Sequence, residues 1–309
     1  MNRPTPALII LAAGASSRMK KSLEAMHSQG TMVKNSANDK NQQSLYTPTH
    51  KGLIPLNNNG HTAIDLLIDQ AVQAGISRVI MVIQPPGNAF KNHFEKKRAE
   101  LGGPQYSNPS DPKKITLDFA FQKIPQGREK PLGTADALQQ CMEQFPELHQ
   151  EEFMVCNADN LYTSDAFQAL IQAKSPNALI GYDRNGLEFP LEKIRSFALL
   201  NSDAQNFMID LLEKPNQAVT QKLLDQGQQL NVSMNLWKFK GADLWNALLL
   251  CPVHPERQEK ELPAAVKLMI TGGHTKILVI PRKEHVPDLT QASDINSVRL
   301  FLNQGNLDH

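Results

Sequence analysis

The sequence predicts a doubly wound α/β domain, in which helices flank a mostly parallel, mixed central sheet. Apolar runs of strand length alternate with segments whose apolar residues recur at helical spacing. The first run, Ala7 to Ala13, is continuously apolar, which is typical of a strand covered on both faces. Polar or glycine-containing segments follow several of these runs, at the positions where open α/β sheets bind their ligands.

The first half of the chain follows the order strand, helix, strand, loop, strand, helix, strand. Its first strand is expected to end at Gly14. The polar stretch from Ser22 to His50 has no convincing periodicity, which predicts an insertion that is either mobile or an ordered surface loop. The other expected elements of this half are helices at 62–75, 88–101 and 133–145, strands at 78–85, 115–122 and 152–159, and a loop at 102–114.

The second half adds shorter strands and several helices. Segments 196–203 and 207–215 resemble a hairpin, and Asp294 is expected to cap the last helix. The other expected elements are strands at 177–183, 231–239 and 274–282, and helices at 165–173, 241–250, 261–271 and 294–304. Because no internal repeat or glycine- and serine-rich linker interrupts this order, residues 1–309 are expected to form a single domain.

Composition and charge exclude several classes of protein. The net charge of +1 provides no global field for nucleic acid, and no apolar stretch approaches the roughly 20 residues of a membrane span. An export signal at 7–13 would be of minimal length, and the stretch SSRMKK follows it closely. Cys141, Cys156 and Cys251 lie far apart in apolar surroundings, as buried thiols of a reducing compartment do. We therefore expect a cytoplasmic protein that binds neither nucleic acid nor membrane.

The segment after the first strand has the composition of a phosphate-binding loop. Gly14 permits a tight turn and close approach of the backbone to an anion. Arg18 would add a planar, bidentate donor for phosphate oxygens. A glycine at such a place is nevertheless more often only a turn, and an arginine after it is more often only solvated. The chain contains neither GxGxxG nor GxxxxGK[ST], which excludes the dinucleotide and Walker-type loops.

Two aspartates that follow later strands are candidate ligands of one metal ion. A carboxylate at the end of a buried strand is costly unless it is paired, and Mg²⁺ commonly bridges carboxylates to substrate phosphates. Asp159 has this position, although capping of the next helix is an equally weighted explanation for it. Asp288 follows another strand in an equivalent position. The sequence alone does not show that the two carboxylates meet.

Seven phrases of the sequence, taken in order, resemble the nucleotidyltransferases that join a nucleoside triphosphate to a sugar 1-phosphate and release pyrophosphate. They are LAAGASSRM, HKGLIPL, PLGTADAL, NADN, LLEKP, NVSMN and VPDLTQASD, and they extend over nearly the entire chain. The resemblance implies a Rossmann-like fold of the nucleotide-diphospho-sugar transferase type. It also implies an enzyme that uses a nucleoside triphosphate, a sugar 1-phosphate and Mg²⁺.

On the nucleotide side, the resemblance implies that Arg18 contacts the triphosphate and that Lys51 neutralises phosphate. Relatives have proline before this lysine and only several residues between the first two phrases, whereas this chain has His50 and the insertion. The residues implied to bind the rest of the nucleotide are Leu11, Ala12, Ala13, Gly14, Gln122, Gly133 and Thr134.

On the acceptor side, the resemblance assigns Asp159 and Asp288 to the metal ion. Glu213 corresponds to a carboxylate that accepts hydrogen bonds from sugar hydroxyls, Lys214 to a lysine that holds the sugar phosphate, and Asn231 to an asparagine that contacts the sugar. Arg18, Lys51 and Lys214 would together carry the catalysis.

Two alternatives to this function stay open. One is a nucleotidyltransferase with a non-sugar acceptor, such as a molybdenum cofactor or a polyol phosphate, and the other is a non-catalytic relative that binds nucleotide sugars and regulates a partner. Relatives usually have glycine in place of Ala198 and Ser233, so neither the sugar nor the base is implied. The insertion at 22–50 is predicted to pack over or beside the nucleotide as a lid or specificity loop.

Overall fold

One nine-stranded sheet with helices on both faces makes up the described part of the chain. This computed structural model describes residues 4–28, 50–100, 115–213, 215–225, 227, 229–273, 275–305 and 307, with the backbone alone for 26–28 and 98–100. The strands are β1 Ala7–Leu11, β2 Arg78–Ile83, β3 Thr116–Phe121, β4 Glu152–Asn157, β5 Ala178–Asp183, β6 Leu199–Ser202, β7 Met208–Leu212, β8 Asn231–Lys240 and β9 Leu278–Arg282.

Ten α-helices connect these strands within the described residues. They are α1 Ser17–Ser28, α2 Ala63–Gln73, α3 Asn88–Glu100, α4 Thr134–Gln144, α5 Ser164–Gln172, α6 Leu191–Ser196, α7 Gln217–Asp225, α8 Gly241–Leu250, α9 Leu262–Thr271 and α10 Asp294–Asn303. Short 3₁₀ turns also occur, among them Lys51–Leu53 and Arg184–Gly186. The expected fold class is therefore confirmed, and most expected elements are present with ends shifted by a few residues.

The strand order places the carboxyl ends of β1 and β4 side by side. Seven strands form a path in the order β3-β2-β1-β4-β8-β5-β9, and neighbours are parallel except at β8, which is antiparallel to both β4 and β5. The β6–β7 hairpin attaches to β8. Because the chain runs outward from β1 to β3 and then returns to β4 on the other side of β1, this edge is a topological switch point. Open α/β sheets bind ligands at such a point.

The continuous apolar run of β1 is explained by two cores, one on each face of the sheet. Leu8 and Ile10 enter one core, which α2, α5 and α10 complete, while Ile9 and Leu11 enter the other with α4, α8 and α9. Every residue of β1 is consequently buried. The sheet is thus held rigidly, and the segments that leave its edge have a fixed base.

The expectation that residues 22–28 belong to a loop is wrong, because they continue helix α1. Met19 is fully buried and Leu23, one turn later, packs against the same core. The Ser22 hydroxyl donates to the carbonyl of Met19 and accepts from the amide of Ala292 at 2.9 Å. Met19 and Leu23 give little periodic signal among the lysines and serines of this segment, although their burial is enough to attach the helix. Residues 29–49 of the expected insertion and 101–114 lie outside the described residues.

Two further boundaries differ from expectation. The first strand ends at Leu11 rather than Gly14, although the amide of Ala12 still donates to the carbonyl of Val82 at 2.8 Å. Asp294 does not occupy the cap position of α10, which is taken by Ser293. The carboxylate of Asp294 instead accepts hydrogen bonds from two backbone amides of the preceding loop. Helices α6 and α7 were not expected, since both are short and mostly polar on their exposed sides.

Candidate active site

The two sequence phrases that the insertion separates lie in direct contact. Ser16, in the loop after β1, has a left-handed backbone with φ of 51°. Its hydroxyl accepts a hydrogen bond from the amide of Lys51 at 3.2 Å, although 35 residues separate the two. The 3₁₀ turn of Lys51 is therefore joined to the phosphate-loop candidate by a hydrogen bond between residues distant in the sequence.

This contact brings Lys51 to Asp159 at the end of β4. The Lys51 ammonium donates to Asp159 Oδ2, and each of the two side chains is 17% exposed. Gly52 is closely packed beside this pair, because a Cβ there would lie 3.2 Å from His50 Nδ1 and 3.5 Å from the carbonyl oxygen of Ala158. Lys51 of HKGLIPL and Asp159 of NADN thus form one ion pair that is partly exposed.

His50 stabilises the 3₁₀ turn Lys51–Leu53. Its ring is buried against Phe90, with ring centroids 4.9 Å apart, and Nδ1 accepts from the amide of Gly52 at 3.0 Å. Burial, reinforced by the charges of Lys51 and Lys20, lowers the pKa of His50 to about 3. The histidine is therefore neutral at physiological pH and acts as a structural acceptor.

The side of the site implied to read the base is built around Gln122 and Gly133. The Gln122 side chain is buried and donates to the carbonyl of Gly133 at 3.0 Å and to the carboxylate of Asp136 at 2.7 Å. Gly133 has a φ of 111°, and a Cβ there would lie 2.4 Å from the carbonyl oxygen of Lys260. These contacts join the end of β3 to the amino terminus of α4, where the helix dipole favours anions.

One cavity of about 320 Å³ collects most of the predicted nucleotide residues. Its lining includes Leu11, Ala13, Gly14, Arg18, Lys51, Gln122, Gly133, Thr134 and Asp159. Ala12 is buried behind it rather than on its surface. Lys130 and Glu259 also line this cavity and were not predicted. Their signal in the sequence is weak, because each is one charged residue in a polar loop.

Asp159 and Asp288 are brought together by their backbones. The amide of Leu289 donates to the carbonyl of Asp159 at 2.8 Å, and an isolated antiparallel bridge joins Asn160 to Asp288. The loop after β9 therefore lies against the loop after β4. The structure thus answers what the sequence left open, because the two aspartates share one cleft wall.

Lys193 of α6 is a site residue that the sequence analysis missed. Its ammonium lies 3.0 Å from Asp288 Oδ2 and 4.3 Å from the centroid of the Phe189 ring. Thr290 also donates to Asp288 Oδ2, at 2.8 Å. Asp294 stabilises the loop that contains Asp288, since its Oδ2 accepts hydrogen bonds from the amides of Thr290 and Gln291 at 2.9 and 2.8 Å.

A second cavity of about 410 Å³ adjoins the first on the side of Asp288. Arg18, Asn157, Asp159 and Thr290 line both cavities. Lys193, Ser233 and Asp288 line the second one alone. Within the described residues, no carboxylate pairs with the exposed Arg18 guanidinium at this junction. The arrangement can hold two anions on either side of Asp159, with Arg18 between them.

Glu213, Asn231 and Lys214 are the other residues that the resemblance assigns to acceptor binding. Glu213 lies in an ion pair with Arg257, 3.1 Å away, and is not among the described residues that line the two cavities. Asn231, at the start of β8, is buried, and its Oδ1 has no hydrogen-bond partner in the described part of the chain. Lys214 lies outside the described residues.

The pair of aspartates has the donor chemistry that Mg²⁺ prefers. Mg²⁺ is usually bound by one or two carboxylates together with substrate phosphates and water, rather than by a complete protein cage. Among the described residues, no group of three or more His, Cys, Asp or Glu residues could hold a metal by itself. Asp159 and Asp288 each keep Oδ1 without a described protein partner. The residues therefore fit a metal that substrate helps to bind.

The three cysteines agree with the prediction from their apolar surroundings. Cys141, Cys156 and Cys251 are buried free thiols, and burial raises the pKa of Cys141 to about 12. No helix in the described ranges is both long and apolar enough to cross a membrane.

Two known proteins match part of this chain in sequence. The small subunit of chloroplastic/amyloplastic glucose-1-phosphate adenylyltransferase from Triticum aestivum is 26% identical over 186 residues, which cover 60% of this chain and 35% of that protein. Glucose-1-phosphate adenylyltransferase from Thiobacillus denitrificans (strain ATCC 25259 / T1) is 23% identical over 190 residues, 60% of this chain and 40% of that one. The chain thus spans less than half the length of these two relatives.

The fold has a counterpart among solved structures. A crystal structure of UDP-glucose pyrophosphorylase complexed with UDP-glucose superposes with a TM-score of 0.67 and 15% identity, covering 98% of this chain and 100% of the other. The pattern of the family described as "Nucleotidyl transferase" matches residues 47–240, which is more than half of the chain. The protein therefore belongs to the nucleotidyl transferase family, as the seven phrases of its sequence predicted.

Proposed function

We propose that the protein transfers a nucleoside monophosphate from a nucleoside triphosphate to a sugar 1-phosphate and releases pyrophosphate. One observation carries the proposal: two cavities meet at Arg18 and Asp159. The first cavity has the loop after β1 and the amino terminus of α4, which suit a triphosphate. The second has Lys193, the polar residues after β4 and Ser233 and Asn235 within β8, which suit a phosphorylated acceptor.

The chemistry requires positioning and charge neutralisation rather than a strong base. The second pKa of a phosphate monoester is about 6, so the acceptor oxygen is already largely ionised at neutral pH. This oxygen forms a bond to the α-phosphorus of the nucleotide, the bond from that phosphorus to the bridging oxygen breaks, and pyrophosphate leaves with the electron pair. The main obstacle is repulsion between two anions, which fixed positive groups reduce.

The residues of the cleft divide this task between them. Arg18 lies where the two cavities meet and would neutralise the triphosphate. Lys51, which is paired with Asp159, would neutralise phosphate beside that carboxylate. Lys193 would hold the acceptor phosphate on the other side of Asp288. Mg²⁺, when held by Asp159 and Asp288, would neutralise phosphate charge between donor and acceptor.

A matrix of nucleoside triphosphates against sugar 1-phosphates, each with Mg²⁺ and read as pyrophosphate release, tests the proposal. We expect one pair to be used, and Asp159→Asn to reduce its turnover by about 10²-fold or more. Turnover of the folded Asp159→Asn variant near that of the wild type would show that the assignment is wrong. Glu143→Gln, on the exposed side of α4, is a suitable control because it removes one carboxylate far from the cleft walls.

The position of Glu213 favours testing a second class of acceptor. The family resemblance assigns this carboxylate to sugar hydroxyls, whereas here it pairs with Arg257. A smaller acceptor, such as a polyol phosphate, would need no contact with Glu213. Polyol phosphates therefore belong in the same matrix, and their exclusive use would replace the sugar 1-phosphate in the proposal. Binding of nucleotide sugars without turnover of any pair would instead support the regulatory alternative.

A further inference from the structure

The loop between α8 and α9 forms one wall of the first cavity, although none of the seven phrases contains it. This loop, residues 251–261, contributes Glu259 to the lining. A Cβ on Gly133 would lie 3.0 Å from the Cβ of Glu259, so the two residues are in direct contact. Glu259 therefore lies on the side of the cavity that is implied to read the base.

Backbone hydrogen bonds fix the position of Glu259. Its carbonyl accepts from the amide of His254 at 2.8 Å. The amide of Lys260 donates to the carbonyl of Leu132, and the amide of Ala135 donates to the carbonyl of Lys260 at 2.9 Å. The loop is thus joined to the segment before α4 by two hydrogen bonds, and the side chain of Glu259 extends from a fixed backbone.

Two charged side chains of this cavity have no partner among the described residues. Glu259 is half-buried, and no described group forms an ion pair with its carboxylate or donates a hydrogen bond to it. Lys130 is exposed, and no carboxylate in the described ranges pairs with its ammonium. A carboxylate that has lost part of its hydration is stabilised by a ligand that donates hydrogen bonds to it. The cavity therefore offers one strong acceptor and one strong donor to a ligand.

Gln122 adds a second acceptor to the same lining. Its Nε2 donates to the carbonyl of Gly133 and to the carboxylate of Asp136, and neither partner can donate in return. The orientation of the amide is therefore fixed by its surroundings. Its Oε1 is accessible and has no donor within the described part of the chain, so it can accept a hydrogen bond from a ligand.

We propose that Glu259 selects guanine nucleotides by accepting hydrogen bonds from the N1–H and 2-amino groups of the base. The inference rests on the nucleotide site of the proposed function and names the base that this site takes. Guanine has two adjacent donors on its Watson–Crick edge, which the two oxygens of one carboxylate match. The neighbouring O6 of guanine is an acceptor, and Lys130 supplies a donor for it in the same cavity.

The other common bases match this lining less well. Uracil presents one N–H group between two carbonyl oxygens, so a carboxylate beside it is repelled by at least one of them. Adenine and cytosine each present one amino group beside a ring nitrogen that is itself an acceptor, so they satisfy only one carboxylate oxygen. Gln122 Oε1 strengthens the preference for a base that donates.

Calorimetric titration of the full chain with GDP, IDP, ADP and UDP, each with Mg²⁺, tests this preference without turnover. IDP differs from GDP only by the missing 2-amino group. We expect GDP to bind at least about tenfold more tightly than ADP and UDP, and about tenfold more tightly than IDP, which makes one charge-assisted hydrogen bond fewer. ADP or UDP that bound as tightly as GDP would overturn the proposal.

Glu259→Gln tests the carboxylate itself. The amide keeps one acceptor but adds an N–H donor, which repels the 2-amino group of guanine and suits a carbonyl of uracil. We expect the affinity for GDP to fall about tenfold and the affinity for UDP to stay the same or rise. An equal fall for all four nucleotides would place the carboxylate at the ribose and overturn the proposal.

Glu256→Gln is the matched control for this variant. It removes a carboxylate from the same loop at an exposed residue that does not line the cavity. All four affinities should remain those of the wild type. Circular dichroism and thermal unfolding of both variants show whether the loop and α9 stay folded, so that a change in affinity is assigned to the side chain.

Lys130→Met tests the contact with O6. The variant should weaken GDP and IDP by similar factors, because both bases have this oxygen. The affinity for ADP should be unchanged, since adenine has an amino group at the same place. An equal loss for ADP would show that Lys130 contacts phosphate and would overturn its part in the proposal.

Binding and turnover separate this inference from the proposed reaction. A preference for GDP without pyrophosphate release from any pair of substrates would support the base assignment and contradict the reaction. Pyrophosphate release that is faster with UTP or ATP than with GTP would support the reaction and overturn the base assignment. Absence of binding of all four nucleotides up to millimolar concentration would overturn both.

Discussion

Lys193 Nζ lies 3.0 Å from Asp288 Oδ2, so the cation of α6 and the carboxylate after β9 form part of one wall of the second cavity. On the other side, Lys51 pairs with Asp159 in the same manner. Each of the two candidate metal ligands is therefore matched with a lysine from a different part of the chain. The two pairs place alternating charge along the two adjoining cavities.

Replacement of Lys193 tests its role in acceptor binding. Lys193→Met should raise the KM for the acceptor about tenfold, because one charge-assisted contact with phosphate is lost, and should leave the KM for the nucleotide nearly unchanged. Lys193→Arg should restore most of the affinity. Arg195→Gln is the matched control, since it removes a positive charge from the other face of the same helix. An equal rise of both KM values in Lys193→Met would contradict the assignment.

Replacement of the aspartates tests the metal site without relying on turnover. Asp159→Asn and Asp288→Asn should each weaken Mn²⁺ binding in the presence of nucleotide, measured by electron paramagnetic resonance, by about tenfold or more. Asp294→Asn keeps a hydrogen-bond acceptor for the amides of Thr290 and Gln291 and should have a smaller effect. Unchanged Mn²⁺ affinity in both Asp159→Asn and Asp288→Asn would exclude them as ligands.

His50 should make the stability of the fold depend on pH. Its pKa is lowered to about 3 in the folded protein, whereas the unfolded chain takes up a proton below about 6.5. Between these values the unfolded state binds more protons, so stability is complete above about pH 6.5 and falls as pH decreases, by about 1.4 kcal/mol per unit. In His50→Gln, this part of the slope should disappear. Denaturant titrations at pH 7, 6 and 5 measure it, and equal slopes for the two proteins would contradict the prediction.

Gly133 is the glycine whose replacement should affect both stability and nucleotide binding. An alanine there would have a φ of 111° and a Cβ 2.4 Å from the carbonyl oxygen of Lys260. We expect Gly133→Ala to cost about 2–4 kcal/mol and to raise the KM for the nucleotide, because the turn before α4 must shift. Gly127→Ala is the control, since φ is 81° there but a Cβ meets nothing within 4 Å. Similar losses of thermal stability in both variants would mean that backbone strain alone is responsible.

The predicted role of the insertion as a lid or specificity loop has its own test. Helix α1 carries the chain away from the cavity over 12 residues, about 18 Å at 1.5 Å per residue, and the chain is back at the cavity by His50. Deletion of 29–49, with a short glycine linker that keeps Lys51 in place, should lower nucleotide affinity several-fold if the segment covers the nucleotide. Unchanged affinity and turnover would show that it has no such role.

The sequence by itself determined the fold class and the order of strands and helices along the chain, and with the family resemblance it identified nine of the twenty described residues that line the first cavity. Continuous apolar runs require two covered faces, and the carboxyl ends of parallel strands meet at one edge, so Gly14, Gln122 and Asp159 could be assigned to one site. Such arguments depend only on the period of burial and on the direction of the strands.

The tertiary structure decided which charged side chains meet. Contacts between Lys51 and Asp159 and between Lys193 and Asp288 join segments about a hundred residues apart, and no local pattern specifies them. The same holds for Glu213, whose ion-pair partner Arg257 lies 44 residues further along the chain. A charged residue on a short polar helix such as α6 has the same local signal whether it faces solvent or a cleft. Only the packing of the sheet and its loops makes Lys193 part of the site, because side-chain direction there is set by long-range contacts.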